Sequence, residues 1–203
     1  MSHEYTYDIS MFRDTFETRF TYLNGFLRNV SRFGSRPALF DPRSGRRWTY
    51  RELNAAANRL AHALRADGVG KNDVVMFALL NSPEFVFCYL AAHKIGAIAC
   101  PVNYRQGAGE IALVIDDSTP KAFIYDAEFG ELSGGALDLC ESKPAIKIVV
   151  GADDAAPAGQ VRYADYVADQ PENDPPIDFD PHIYDETTRL YTSGTTNRPK
   201  GVP

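Results

Sequence analysis

Four apolar runs recur through the middle of the chain: DVVMFALL (73–80), AIACPV (97–102), KAFIYD (121–126) and AIKIVVG (145–151). They are apolar at nearly every position, not at every second one. A strand of that kind must be covered on both faces, which is the condition of a parallel sheet whose crossover connections carry helices. The intervening stretches suit that role. Pro83 stands at the first position of a helix with Glu84 in its first turn, and Gly96 ends it. GEIALVIDDS reads as a second helix, and AEFGELSGGALDLCES as a third, loosened by three glycines. Right-handed crossovers then give an α/β fold: a mainly parallel sheet with helices on both faces, wound in Rossmann-like fashion over residues 36–150.

The flanks follow from local chemistry. Residues 1–35 form a helical lead-in, with Leu23, Phe26, Leu27, Val30 and Phe33 making one apolar stripe across a helix from 19 to 33. PALFDPRSGRRWTY predicts two short strands around a turn at Asp41–Gly45. TYREL supplies a capping box, Thr49 with Glu52, for a helix over 50–67 with Leu53, Ala56, Ala57, Leu60 and Leu64 inward and Gly68 as its left-handed stop. Beyond Gly151 the composition shifts. Residues 170–181, with Pro171, Pro175, Pro176 and Pro181, cannot extend a sheet, so 151–181 reads as a connecting segment with a helical turn or two at YADYVAD. Strand character returns at DETTRLYTS, opening a second subdomain over 182–203.

Composition excludes several functions. With 44% hydrophobic and 24% charged residues the 203-residue chain is globular, and its net charge of -6 speaks against a nucleic-acid surface. The densest basic group, Arg43, Arg46 and Arg47, surrounds a turn and reads as solvated. Cys88, Cys100 and Cys140 have neither metal nor CxxC spacing and read as core thiols in a reducing compartment. No secretory signal opens the chain, and EFVFCYLAAHKIGAIACPV is broken by His93, Lys94 and Gly96 before it could span a bilayer, so a cytoplasmic protein without a transmembrane segment is expected. Asp116–Asp117 and Asp153–Asp154 read as solvated carboxylates, His62 as a surface or cap residue, and His3, His93 and His182 have no partner at a motif spacing.

The last stretch, YTSGTTNRPKGVP (191–203), carries the chemistry. Ser193, Thr195 and Thr196 offer hydroxyls, Gly194 and Gly201 let backbone approach an anion, and Lys200 adds a mobile positive charge. A phosphate suits that set, although Ser, Thr, Gly and Asn are also what ordinary polar turns are made of. A Walker A loop, and with it a P-loop kinase or ATPase, fails on spacing, because the lysine precedes its glycine and no Ser or Thr follows.

Y-T-S-G-T-T-x-x-P-K-G-V resembles the signature loop of the adenylate-forming superfamily. WTYREL (48–53), AAHKIGAIACPVNYR (91–105) and EIALVIDDSTPKAFI (110–124) resemble further elements in the expected order, closer to the acyl-coenzyme A synthetase branch than to peptide-synthetase domains. Asn197 stands where the superfamily has glycine; asparagine is the side chain that best tolerates positive φ. The resemblance implies ATP, Mg²⁺ and coenzyme A as cofactors and a small carboxylic acid as substrate, activated as an acyl-adenylate and passed to a thiol. It also implies that Thr192, Ser193, Gly194, Thr195, Thr196, Asn197, Lys200 and Gly201 bind the nucleotide phosphates, with Thr195 near Mg²⁺. It places the adenine and acyl pockets, the acidic metal ligand and the catalytic lysine later in such chains. The expectation is therefore an N-terminal portion, inactive alone, with no catalytic group of its own and no room for a strand beginning at Gly201. The alternative is a non-catalytic nucleotide-binding or interaction module that keeps the loop. An apolar face and a bare strand edge near Arg189–Thr192 lead to a further expectation, that a second copy of the chain holds 182–203 in a homo-oligomer.

Overall fold

The computed structural model describes residues 9–152, 155–192 and 200–202. Two helices lead in, α1 (Ile9–Arg19) and α2 (Tyr22–Phe33). The single helix expected from residue 19 starts instead at Tyr22, because Thr21 takes the N-cap and its hydroxyl accepts the Asn24 N–H at 3.3 Å. Helix α1 buries none of its residues, although Ile9, Phe12 and Phe16 recur at helical spacing. Phe12 and Phe16 of α1 and Phe20 just beyond it contact in series, 4.1 and 4.4 Å between centroids, the second pair stacked.

Strands β1 (Pro37–Phe40) and β2 (Arg47–Thr49) pair antiparallel around the expected turn. Asp41 closes that turn by accepting the Arg43 and Ser44 N–H groups. Helix α3 (Tyr50–Ala66) follows with its capping box intact: Glu52 N–H donates to the Thr49 hydroxyl at 3.3 Å, and Thr49 N–H to the Glu52 carboxylate at 2.8 Å. Gly68 stops it at φ +81°.

The sheet then assembles from β3 (Val74–Ala78), α4 (Pro83–Lys94), β4 (Ile98–Pro101), α5 (Ala108–Ser118), β5 (Ala122–Asp126), α6 (Gly130–Leu139) and β6 (Ile146–Val150). A fifth strand, β7 (Val161–Arg162), precedes α7 (Tyr163–Val167). The order is β4-β3-β5-β6-β7, with every neighbouring pair parallel. Alternate strand residues serve opposite cores. Val75, Phe77, Ile124 and Ile148 meet Leu60, Leu64, Cys88 and Ile95 on one face. Met76, Phe123, Tyr125 and Val149 meet Ile111, Ile115 and Leu137 on the other. Each fully buried aliphatic or phenyl group contributes roughly 1.5–3 kcal/mol, so the two layers of helices are held by the strands' uninterrupted apolarity.

The segment 151–181 does more than connect. Strand β7 pairs with β6 through Ile148–Val161 and Val149–Arg162, two residues too short to leave a sequence pattern. The proline-rich part stays out of the sheet, as its missing N–H groups require, and runs as a strap across α3 and α4. Arg59 pairs with Glu172, the His62 ring meets the Asn173 carbonyl at 2.9 Å, and the Arg65 fork holds Asp178 at 2.9 and 3.0 Å. Lys94, 2% exposed, pairs with Asp174 at 2.8 Å. Cys88, Cys100 and Cys140 are free and buried; burial pushes the Cys100 thiol up to about 12. Among the described residues no helix is long and apolar enough to cross a membrane.

Candidate functional site

The chain approaches the loop along the free edge of β4. Ala99 N–H donates to the Thr187 carbonyl and Arg189 N–H to the Ala99 carbonyl, both at 2.9 Å, so Thr188 bridges Ala99 in parallel. Two side chains reinforce that bridge. His93, on α4, meets the Thr187 carbonyl through Nε2 at 3.1 Å, and burial holds its imidazole below the usual histidine range. Arg189 grips Glu186 through two hydrogen bonds of 2.6 and 2.7 Å, which raises its own affinity for the proton. The chain's own β4 edge thus holds the segment just before Arg189–Thr192.

Strand β8 (Leu190–Thr192) then pairs antiparallel with β9 (Lys200–Val202). Leu190 faces Val202, Tyr191 faces Gly201 and Thr192 faces Lys200. The expectation that nothing could form from Gly201 is corrected, because an antiparallel partner needs only the three residues present. Thr192 and Lys200, both exposed, stand side by side where the chain enters and leaves 193–199. Ser193, Gly194, Thr195, Thr196 and Asn197 lie outside the described residues, as do His3, Asp153 and Asp154.

Tyr191 ties the hairpin to the body of the fold. Its hydroxyl donates to Asp117 at 2.5 Å, and burial, then Asp117, raises the phenol's pKa. Its ring lies over Gly201, where an added Cβ would sit 3.3 Å from ring Cζ. A side chain there would press on the tyrosine ring, which gives Gly201 a packing reason. Asp117 is exposed, as expected of a solvated carboxylate, and also accepts the Tyr191 hydroxyl, while half-buried Asp116 accepts the Glu141 and Ser142 N–H groups at 2.8 and 2.7 Å. They diverge as neighbours on a helix must. Among the described residues no group of three or more His, Cys, Asp or Glu could hold a metal. His182 does have a partner, Glu17 at 3.4 Å. Sequence reasoning missed Tyr191, Arg189, His93 and Asp117 as supports of the loop. The available signal was strand alternation, which sends Tyr191 to the face opposite Thr192.

Residues 26–203 match the family described as AMP-binding enzyme. A 3-hydroxybenzoate–CoA/4-hydroxybenzoate–CoA ligase of Thauera aromatica is 39% identical over 154 residues, covering 76% of this chain and 29% of that protein. A long-chain-fatty-acid–CoA ligase of Mycobacterium tuberculosis is 34% identical over 165 residues, covering 81% and 31%. The crystal structure of the anthranilate CoA ligase AuaEII with anthranoyl-AMP superimposes with a TM-score of 0.82 at 26% identity, over 92% of this chain and 35% of that one. The chain therefore spans about a third or less of the length of these proteins.

Proposed function

This chain belongs to the AMP-binding enzyme family, and we propose that it forms the N-terminal portion of an ATP-dependent carboxylic acid:coenzyme A ligase. Such an enzyme joins a carboxylate to AMP with loss of pyrophosphate, then passes the acyl group to the thiol of coenzyme A. The observation that carries the reading is the continuous family match from residue 26 through the loop to 203, together with relatives that are acid–CoA ligases. An aromatic or fatty acid is the substrate class in keeping with those relatives.

The loop residues supply the phosphate chemistry. Backbone N–H groups and hydroxyls of Ser193, Gly194, Thr195 and Thr196 hold the β- and γ-phosphates, with Thr192, Asn197 and Gly201 beside them, while the Lys200 ammonium offsets the charge that develops as pyrophosphate departs. Magnesium, when bound, neutralises phosphate charge. On this reading the Thr195 hydroxyl would stand near the ion, and its acidic ligand would come from later in the full-length protein. No catalytic group is assigned within these residues, and the 203-residue polypeptide alone is inactive on this reading. Three buried free thiols suit a cytoplasmic setting.

Acid-dependent exchange of labelled pyrophosphate into ATP tests the proposal. The full-length protein exchanges with an aromatic or fatty acid, and Lys200→Ala or Thr195→Ala lowers the rate on the order of 10²-fold, as loss of one preorganised donor does elsewhere. Undiminished exchange in both variants would refute the assignment of the loop.

A further inference from the structure

Among the described residues, little holds the hairpin that carries the loop. Two strands of three residues are marginal by themselves. Leu190, Thr192, Lys200, Gly201 and Val202 are all exposed, and Tyr191 alone among the described hairpin residues is half-buried. It packs on the core cluster containing Met76, Cys100, Ile111 and Ile115, and its hydroxyl ends on Asp117 of α5. A 2.5 Å bond from a phenol to a carboxylate is the short, charge-assisted kind. The bridge at Ala99, the other attachment of this segment to the sheet among the described residues, lies before the hairpin, and by itself would leave the strand pair free to pivot about Arg189. Gly201 completes the seat, since the ring occupies the space in which its side chain would stand.

We propose that Tyr191 is a positioning residue for the nucleotide. Its bond to Asp117 fixes the direction of β8 relative to α5, and thereby the points at which the chain enters and leaves residues 193–199. The inference rests on the ligase reading above. It assigns the tyrosine no contact with phosphate. Anchoring acts on catalysis because donors that must meet a developing charge lose effect steeply when displaced by about an ångström. It acts on MgATP and pyrophosphate, which the loop holds, and not on the acid.

The test is steady-state exchange and thioester formation by the full-length enzyme with Tyr191→Phe, Asp117→Ala, Asp117→Asn and the double variant Tyr191→Phe/Asp117→Ala. Tyr191→Phe keeps the ring and its packing, so the fold survives; thermal unfolding checks this. The expected result is a loss of roughly tenfold in kcat/KM for MgATP, the scale of one hydrogen bond to a charged group, with KM for the acid unchanged. Asp117→Ala gives a similar loss, the double variant is no worse than either single change, and Asp117→Asn, which keeps an acceptor, recovers most of the rate. Activity of Tyr191→Phe within about twofold of the parent would overturn the proposal. So would additive losses in the double variant, or KM values for acid and MgATP that rise together. Absence of exchange in the parent enzyme would count against the ligase reading alone. The anchor is then judged by hydrogen exchange of the amides of residues 190–192 and 200–202 in the same proteins: faster exchange in Tyr191→Phe supports it, and unchanged exchange overturns it.

Discussion

Replacing Asp174 by alanine leaves Lys94 as a buried ammonium without its carboxylate. Lys94 is 2% exposed, its Nζ lies 2.8 Å from Asp174 Oδ1, and the Phe26 ring centroid lies 5.8 Å from it. Removing one member of a buried pair costs about 3–5 kcal/mol, because the surviving charge stays desolvated. Here Asp174 is 55% exposed, so water takes part of its place, and about 2–3 kcal/mol is the expected loss. For a chain of 203 residues that lowers the unfolding midpoint by about 5–10 °C. Lys94→Met fills the same space without a charge, leaves Asp174 its bond from Asn54 at 2.9 Å, and is expected to be neutral or slightly stabilising. The pH dependence has a fixed sign. Burial lowers the Lys94 pKa below its usual 10.5 while Asp174 raises it, and without Asp174 it falls further. Between that lowered value and 10.5 the unfolded chain binds the extra proton, so stability rises with pH, and the deficit of Asp174→Ala shrinks as pH approaches about 10. Trp48, the single tryptophan, lies in the cluster formed with Phe87 and Leu90 and reports the transition in urea. A loss below about 0.5 kcal/mol for Asp174→Ala, or an equal loss for Lys94→Met, would refute the reasoning.

Gly96→Ala should destabilise by about 2–3 kcal/mol, because φ there is +70° and the new Cβ would lie 3.0 Å from Phe179 Cζ. Pairing it with Phe179→Ala should relieve the collision and leave the backbone cost, so a double variant no better than the sum of its parts in urea unfolding would contradict that division. The 203-residue polypeptide should self-associate, since Leu190 and Val202 face each other across the hairpin and are each 49% exposed. A clean monomer at micromolar concentration in sedimentation would argue against it.

The sheet was legible because its evidence is local. Continuous runs such as 73–80 and 121–126 have both faces buried, and the Thr49–Glu52 box and Gly68 stop are written within four residues of the turns they make. What escaped was written across distance. Lys94 meets Asp174 80 positions away, Asn58 meets the Glu172 carbonyl 114 away, and Tyr191 meets Asp117 74 away. No periodicity links such pairs, so the strap looked like a linker, and nothing tied the exposed Asp117 to Tyr191. Strand β7 is too short to carry a pattern, and Thr21 looked like any other polar residue inside a helical stripe. At the site, the loop's residue types were plain and its support was not: the motif contains Tyr191, Thr192 and Lys200 alike, but the anchoring contacts of Tyr191, Arg189 and His93 come from the β4 edge and α5.

The most direct test of the central claim follows oxygen in a full turnover. The full-length protein is supplied with MgATP, coenzyme A and a carboxylic acid labelled with ¹⁸O in both carboxylate oxygens, and the products are weighed by mass spectrometry. If the carboxylate attacks the α-phosphate and the thiol then attacks the acyl carbon, one labelled oxygen stays on phosphorus. AMP and pyrophosphate are then the nucleotide products, AMP carries one ¹⁸O, and the thioester keeps the other. Release of ADP and phosphate, or AMP without label beside a formed thioester, would mean that no acyl-adenylate is made and would contradict the account.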